Sequence, residues 1–243
     1  MSWVQNSAKA RHLFAAALLV TASAALADVL VVRSTGPSAK SFPPGKRLAE
    51  TQRVTLRAND LLVVLSGNGT RNLRGPGTFT VGAPAAQTAS AATTTQRRAR
   101  IGAVRGTGTG PLRPPTIWHI DVARSSNICV ADPTKVTLWR ADSSRPTTLN
   151  VTRVADGSTR QVAWQAGAST LAWPAQMPVT DGGEFRLSWS GGAAPTALRF
   201  RTMPSRPAGL EDMASTLISK QCDAQMDLFI DTVRLPDDAA PAG

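Results

Sequence analysis

Residues Arg53–Val81, RVTLRANDLLVVLSGNGTRNLRGPGTFTV, determine the predicted architecture of the first half of the chain. Short apolar runs alternate with polar residues along this segment. Gly67–Gly69 (GNG) interrupts two of the runs, and Asn-Gly sequences favour the tight turns of β-hairpins. Gly75–Gly77 (GPG) predicts another turn before Phe79. The segment therefore predicts a compact β unit of three or four short strands.

The predicted N-terminal unit extends from residue 28 to residue 82. A β-branched run, Asp28–Arg33 (DVLVVR), precedes the hairpin segment, and two Pro-Gly-rich turns lie between them. Five or six strands in so short a span predict a small sheet or barrel with a core of valine and leucine. Asn59 and Asp60 are predicted to occupy a turn with Asx-type hydrogen bonds. A catalytic role for Asp60 would need a partner that the neighbouring sequence does not supply.

Residues 1–27 have the three parts of a secretory signal peptide. Lys9 and Arg11 form the basic region, Leu13–Leu26 is apolar, and Ala25–Ala27 (ALA) is a cleavage site of the A-x-A type. Cleavage between Ala27 and Asp28 is expected, with the mature protein in the bacterial periplasm or secreted. The apolar run is short of the roughly 20 residues of a spanning helix. An uncleaved anchor is the alternative.

The charge balance is strongly basic, with 27 lysines and arginines against 16 acidic residues. Lys9 and Arg11 lie in the predicted leader, which leaves 25 basic residues in the mature chain. This excess is spread along the sequence except at one place, so the composition predicts a soluble basic protein.

That place is residues 83–115, where alanine, threonine and serine give way to arginine, glycine and proline. Few apolar residues are available for burial, so a flexible linker is predicted. An alternative role is contact with an anionic envelope surface, for which the candidate residues are Arg97, Arg98, Arg100 and Arg105. Because no aromatic residue lies among them for base stacking, nucleic acid is not an expected partner.

Residues 116–204 predict a second β unit. Apolar and polar residues alternate in about seven short runs, and Asp156-Gly157, Gly182-Gly183 and Gly191-Gly192 mark turns between them. This pattern predicts an immunoglobulin-like β-sandwich. Five tryptophans fall in it, and we expect them to be buried; an exposed tryptophan platform for carbohydrate is the alternative. They are Trp118, Trp139, Trp164, Trp173 and Trp189.

Residues 205–235 change to a helical period. Apolar residues recur at spacings of three or four from Leu210 to Val233, and Pro207 suits a helix start. The pattern predicts one helix, or two with a break near Gln221, packed on the sandwich. A helix that binds a partner is the alternative. Residues 236–243 predict a disordered tail.

Cys129 and Cys222 are the two cysteines of the chain. An even number in an exported protein favours a disulfide, which would join an early strand of the sandwich to the helical segment. The loop-entropy treatment gives about 4–5 kcal/mol for so long a loop, before native-state strain is subtracted. Both cysteines lie in apolar sequence, so two buried free thiols are the alternative.

The N-terminal unit resembles the FecR-like β domains of exported bacterial proteins. Gly45 and Leu48 match the entry Gly-x-x-Leu of that family, Ala58–Leu61 (ANDL) stands where Gly-Asp is usual, and Gly69-Thr70 replaces its Asp-Gly-Ser. The resemblance covers roughly a quarter of the chain and implies export and a role in membrane signalling or assembly. It supplies no catalytic residues.

No catalytic constellation emerges from the sequence. His119 is the one histidine of the mature chain, and it is predicted to be a surface strand residue near Asp121. Ser125 and Ser126 lack the elbow sequence of a nucleophile, and one histidine with two distant cysteines does not make a usual zinc site. The sequence therefore predicts a protein with no catalytic residues, cofactor or metal.

Three functions remain open from the sequence. The favoured one is a non-enzymatic envelope protein that binds a membrane sensor or another envelope protein. The second is a carbohydrate- or cell-wall-binding module, and the third is a hydrolase with an unrecognised site.

The leader gives the first testable prediction. Expression in a bacterial host should yield a periplasmic protein whose N-terminus is Asp28, because the A-x-A site follows a short apolar run. Mass spectrometry of the fractionated protein measures this terminus. Membrane-bound protein that retains Met1 would contradict the prediction.

Overall fold

The computed structural model describes residues 28–83, 113–189 and 194–235. It is mainly β, with two helices near the C-terminus, as the sequence predicts. The predicted leader, the four candidate linker arginines and the C-terminal tail lie outside the described residues. Asp28, the predicted mature N-terminus, is the first residue of the first strand.

The N-terminal unit contains a four-stranded antiparallel sheet and a two-stranded ribbon. The sheet order is β2-β1-β4-β5, and the ribbon pairs β3 with β6. The predicted turn at Gly67 and Asn68 joins β4 to β5, whose last pair is Ser66 with Gly69. The six strands are β1 (Asp28–Thr35), β2 (Arg47–Ala49), β3 (Arg53–Leu56), β4 (Leu61–Ser66), β5 (Gly69–Arg74) and β6 (Gly77–Thr80).

Both faces of this sheet are covered, which explains why β1 and β4 are continuous apolar runs. Val29 and Val31 of β1 join a core with the β3–β6 ribbon. Leu30 and Val32 point to the other face, where they pack with residues of the two helices. A strand buried on both sides needs apolar residues at successive positions instead of alternate ones.

The predicted turn at Asp60 is confirmed. The Asp60 carboxylate accepts hydrogen bonds from the backbone N–H of Arg57 at 2.5 Å and of Ser38 at 2.8 Å. Asn59 has φ 68°, a conformation that asparagine tolerates in turns. Burial opposes ionisation of Asp60, but the hydrogen bonds from Ser38 and Arg57 outweigh it and hold the pKa of this carboxyl below its ordinary value.

The second unit is a sandwich of a five-stranded and a three-stranded sheet. Its eight strands are β7 (His119–Asp121), β8 (Ser126–Val130), β9 (Thr137–Trp139), β10 (Thr147–Arg153), β11 (Thr159–Trp164), β12 (Thr170–Ala172), β13 (Glu184–Trp189) and β14 (Thr196–Thr202). The sheet orders are β11-β10-β13-β14-β8 and β12-β9-β7. The pairs β14–β8 and β7–β9 are parallel and the others antiparallel.

The two sheets form the β-sandwich that the sequence predicts, with eight strands in residues 113–189 and 194–235. One core contains Leu138 of the smaller sheet with Leu149, Phe185 and Phe200 of the larger. The predicted turn at Asp156-Gly157 joins β10 to β11, and Gly182-Gly183 directly precedes β13. Gly191 and Gly192 lie outside the described residues.

The helical segment consists of two helices, α1 (Leu210–Ser219) and α2 (Asp223–Thr232). Gln221 between them has φ 56°, so the helical segment is interrupted at this residue. Of the two arrangements that the sequence allowed, two helices are observed. α1 begins three residues later than Pro207, with Gly209 as its N-terminal cap. None of the helices in the described ranges is both long and apolar enough to cross a membrane.

The helices pack against both β units and not on the sandwich alone, which differs from the prediction. A single core joins Leu30 and Val63 of the N-terminal sheet to Leu217 of α1 and Phe229 of α2. Cys129 of the sandwich belongs to the same core. Cys129 and Cys222 are paired in a disulfide, with a Cα–Cα distance of 5.9 Å. The helical segment therefore fills the space between the two units.

α2 also covers an edge of each large sheet. At its start, the Gln225 side chain accepts a hydrogen bond from the Cys129 N–H at 2.6 Å and donates to the Cys129 carbonyl at 2.9 Å. At its end, the Thr70 N–H donates to the Val233 carbonyl at 2.8 Å, and the Leu235 N–H donates to the Thr70 carbonyl at 2.7 Å. The edge of β8 is thus bonded at Cys129 by a side chain of α2, and the edge of β5 is bonded at Thr70 by the residues that follow α2.

Replacing Gln225 with alanine should lower the free energy of unfolding by about 2–3 kcal/mol, because it leaves the buried N–H and carbonyl of Cys129 without partners. Urea denaturation followed by circular dichroism measures the loss. Gln161→Ala, on the exposed part of β11, is the matched control and should change stability by less than about 0.5 kcal/mol. Equal effects of the two substitutions would contradict this role for Gln225.

Candidate functional site

A cleft of about 410 Å³ lies where the N-terminal sheet, the start of the sandwich and α2 meet. We call it the junction cleft. Its charged and titratable lining residues are Arg33, Arg113, His119, Asp121, Arg124, Asp227 and Asp231. Ile120 and Ile128 contribute buried apolar side chains to its wall. The volume is within the range of small-molecule sites.

Asp227 of α2 forms ion pairs with arginines of both β units. Arg33 of β1 contacts one carboxylate oxygen, and Arg124, which precedes β8, lies 3.2 Å from the other. Partial burial and the positive charges of Arg124 and Arg234 lower the pKa of Arg33 from its ordinary value. Asp227 therefore offsets repulsion between arginines that the assembly of the two units brings together.

Asp231, one helical turn later, repeats this arrangement. It pairs with Arg113 and, at 2.5 Å, with Arg234. Arg113 is the arginine of the predicted linker that falls within the described residues. Asp223, Asp227 and Asp231 recur every four residues and so lie along one side of α2. This spacing is the sequence signal that could have located the ion-pair network, and it was missed.

His119 is a residue of strand β7, as predicted, and is half-buried at the wall of the junction cleft. Its Nδ1 lies 2.8 Å from the Thr116 hydroxyl. Asp121 accepts a hydrogen bond from the Ala123 N–H at 3.0 Å, as in an Asx turn. Within the described residues, His119 makes no hydrogen bond with Asp121, Ser125 or Ser126, so these residues do not form a Ser-His-Asp triad.

The carboxylates of the cleft are therefore engaged by arginines or by backbone, and they hold elements together. Asp227 and Asp231 are each in contact with two guanidinium groups. No group of three or more histidine, cysteine or acidic residues in the described ranges could hold a metal ion. The arrangement suits electrostatic binding and positioning more than acid–base chemistry.

The tryptophans do not form an exposed platform. Trp164 is 1 % exposed and Trp139 is 5 % exposed. Trp173 packs edge-on against Phe185 and Phe200, at centroid distances of 4.9 and 5.1 Å. Trp118 and Trp189 are partly buried against the cores of the helical segment and of the sandwich, respectively. The expected burial is observed for Trp139 and Trp164, whereas Trp118, Trp173 and Trp189 are half-buried.

Comparison of the chain with protein families, with curated proteins and with solved structures finds no match. The resemblance to FecR-like domains therefore stays a prediction from the sequence.

The ion pairs of Asp227 should couple the two β units energetically. Double-mutant cycles of Asp227→Asn with Arg33→Ala and with Arg124→Ala should each give a coupling of about 0.5–1 kcal/mol, typical of partly exposed pairs. Chemical denaturation at 20 mM salt measures it, and 0.5 M salt should reduce it by screening. A coupling of zero at low salt would show that Asp227 does not connect the units.

Proposed function

We propose that this protein is a non-enzymatic accessory protein of the bacterial cell envelope that binds another envelope protein, in membrane signalling or in assembly. The observation that carries the proposal is that α2 and the residues after it form hydrogen bonds with both β units. Hydrogen bonds from Gln225 to Cys129 and between Thr70 and the residues after α2 fix two sheets in one orientation. A preorganised pair of surfaces binds a partner without the entropic cost of ordering separate domains.

Two sequence features support the envelope location. The predicted signal peptide leads to export, and a disulfide such as Cys129–Cys222 persists in an oxidising compartment. The resemblance of the N-terminal unit to FecR-like domains supports signalling or assembly at the membrane. The linker arginines Arg97, Arg98, Arg100 and Arg105 would add attraction to an anionic surface.

A hydrolase is the second candidate, because the junction cleft contains His119 together with Asp121, Asp227 and Asp231. The contacts of these carboxylates weigh against it, since each is held by an arginine or a backbone N–H. The carbohydrate-binding alternative lacks the exposed tryptophan face that would favour it, since Trp139 and Trp164 are buried.

Affinity capture from envelope extracts tests the proposal. Immobilised residues 28–243 should enrich a defined envelope protein, and excess untagged protein should displace it. His119→Ala should capture the same partner to the same extent, because His119 bonds only Thr116 within the described residues. Protein unfolded by reduction and denaturant is the negative control.

The wild-type protein and His119→Ala also distinguish binding from catalysis. Turnover of a peptide, glycan or ester by the wild type that is abolished in His119→Ala would overturn the non-enzymatic proposal. Capture that survives unfolding of the bait would also count against it, because the binding surface depends on the fold.

A further inference from the structure

A second concave region lies on the outer face of the five-stranded sheet of the sandwich. This sheet groove has a volume of about 530 Å³ and runs from Val154 across β13 and β14 to the break between the helices. Its lining includes three arginines, namely Arg124, Arg186 and Arg199. It adjoins the junction cleft, with which it shares Arg124, Ser126 and Ala224.

Strand register places a gap between hydrogen-bond donors on the floor of this groove. Arg186 of β13 stands opposite Ala197 of β14. On the far side of Ala197, its N–H donates to the Ser125 hydroxyl oxygen at 2.9 Å. Neighbouring strands are about 4.8 Å apart, so β14 separates the backbones of Arg186 and Ser125, and Ala197 contributes only a methyl side chain between them. The concave region above Ala197 has space for a carboxylate group.

The groups around the gap are donors that need an acceptor. The Ser125 oxygen already accepts from Ala197, so its own O–H remains able to donate. Arg199 pairs with Glu184 at 3.5 Å, and Arg124 pairs with Asp227 at 3.2 Å. Arg186 is exposed and, in the part of the chain that the structure describes, forms no ion pair or hydrogen bond through its side chain. It is the arginine of the groove without an ion-pair partner among these residues.

An apolar residue marks one end of the groove. Val154 is 50 % exposed, and it is the one large hydrophobic side chain exposed to this degree among the described residues. Its N–H donates to the Glu184 carbonyl at 2.9 Å, which places it beside the strand that carries Arg186. Glu184 and Asp223 also line the groove. Their negative charges disfavour a dense polyanion or an anionic bilayer, while one carboxylate remains acceptable.

We propose that the sheet groove binds an extended acidic peptide segment of a partner protein. One carboxylate of the peptide lies between Arg186 and Ser125, and a neighbouring apolar side chain packs on Val154. This inference rests on the proposed binding function and adds the chemistry of the partner. The charge-assisted contact with Arg186 supplies specificity for the acidic residue, and Val154 supplies a small apolar anchor.

A defined peptide tests the groove. The probe is acetyl-Val-Gly-Glu-Gly-amide, with the glutamine analogue as its neutral counterpart, titrated into ¹⁵N-labelled residues 28–243. The glutamate peptide should shift the amide signals of Ser125, Arg186 and Ala197, and Arg186→Ser should weaken its binding about tenfold. Arg160→Ser is the matched control. Arg160 is exposed on β11 of the same sheet, but its register partner is the core residue Val151, so it lies on the other face of the sheet from the groove. It should bind as the wild type does.

Several outcomes would overturn the inference. They are equal shifts with the glutamate and glutamine peptides, equal weakening by Arg160→Ser, and absence of shifts at the groove with an intact amide spectrum. Phosphatidylglycerol vesicles that bind through Arg186 more tightly than the peptide would indicate a lipid partner and would also refute it. If envelope capture succeeds equally with Arg186→Ser, the groove is excluded while the binding function stands. If the peptide binds but capture fails, the groove stands and the envelope proposal fails.

Discussion

The closure of two sheet edges by one helix is the constraint on which the rest of the structure depends. An edge strand leaves backbone donors and acceptors without partners, and these cannot be buried unpaired. The Gln225 side chain takes the place of a neighbouring strand beside Cys129, and the chain after α2 does the same beside Thr70. Cys129 of one β unit and Thr70 of the other therefore obtain their backbone partners from the same segment of the chain, Gln225 to Leu235.

Ion pairs also join the helical segment to the two β units. The N-terminal unit and the sandwich are each basic, and the helical segment between them is rich in acidic residues. Glu211 of α1 pairs with Arg47 of β2, while Asp227 and Asp231 of α2 pair with arginines from both sides. Individual pairs of this kind contribute little. Their arrangement nevertheless penalises other relative positions of the two units, which would leave like charges facing each other.

The turns and the helical segment could be predicted from the sequence, but the surfaces against which distant segments pack could not. The hairpin at Gly67 and Asn68 and the turn at Asp60 follow from residue chemistry within a few positions. The pairing of Cys129 with Cys222 follows from their number. The apolar stripe from Leu210 to Val233 showed that a helix face is buried, but periodicity does not identify the surface that buries it.

The junction cleft was out of reach for a related reason. Arg33, His119 and Asp227 are far apart in the chain, and a single sequence gives no sign that they meet. The sheet groove needs even more information, because the gap beside Arg186 appears only when the register of β13 against β14 is known. Charged residues that are far apart in the sequence are thus brought together by the fold.

α2 lies far along the chain from the N-terminal sheet that it covers. Synthesis proceeds from the N-terminus, so β5 is made about 160 residues before Ile230, whose carbonyl accepts the hydrogen bond of the Thr70 hydroxyl. Until then the edge of β5 and the apolar face of its sheet stay uncovered, and contacts of such long range form slowly. A chain cut short before Cys222 therefore lacks the disulfide partner of Cys129, the carbonyl that bonds the Thr70 hydroxyl and the helix that covers the apolar face of the N-terminal sheet.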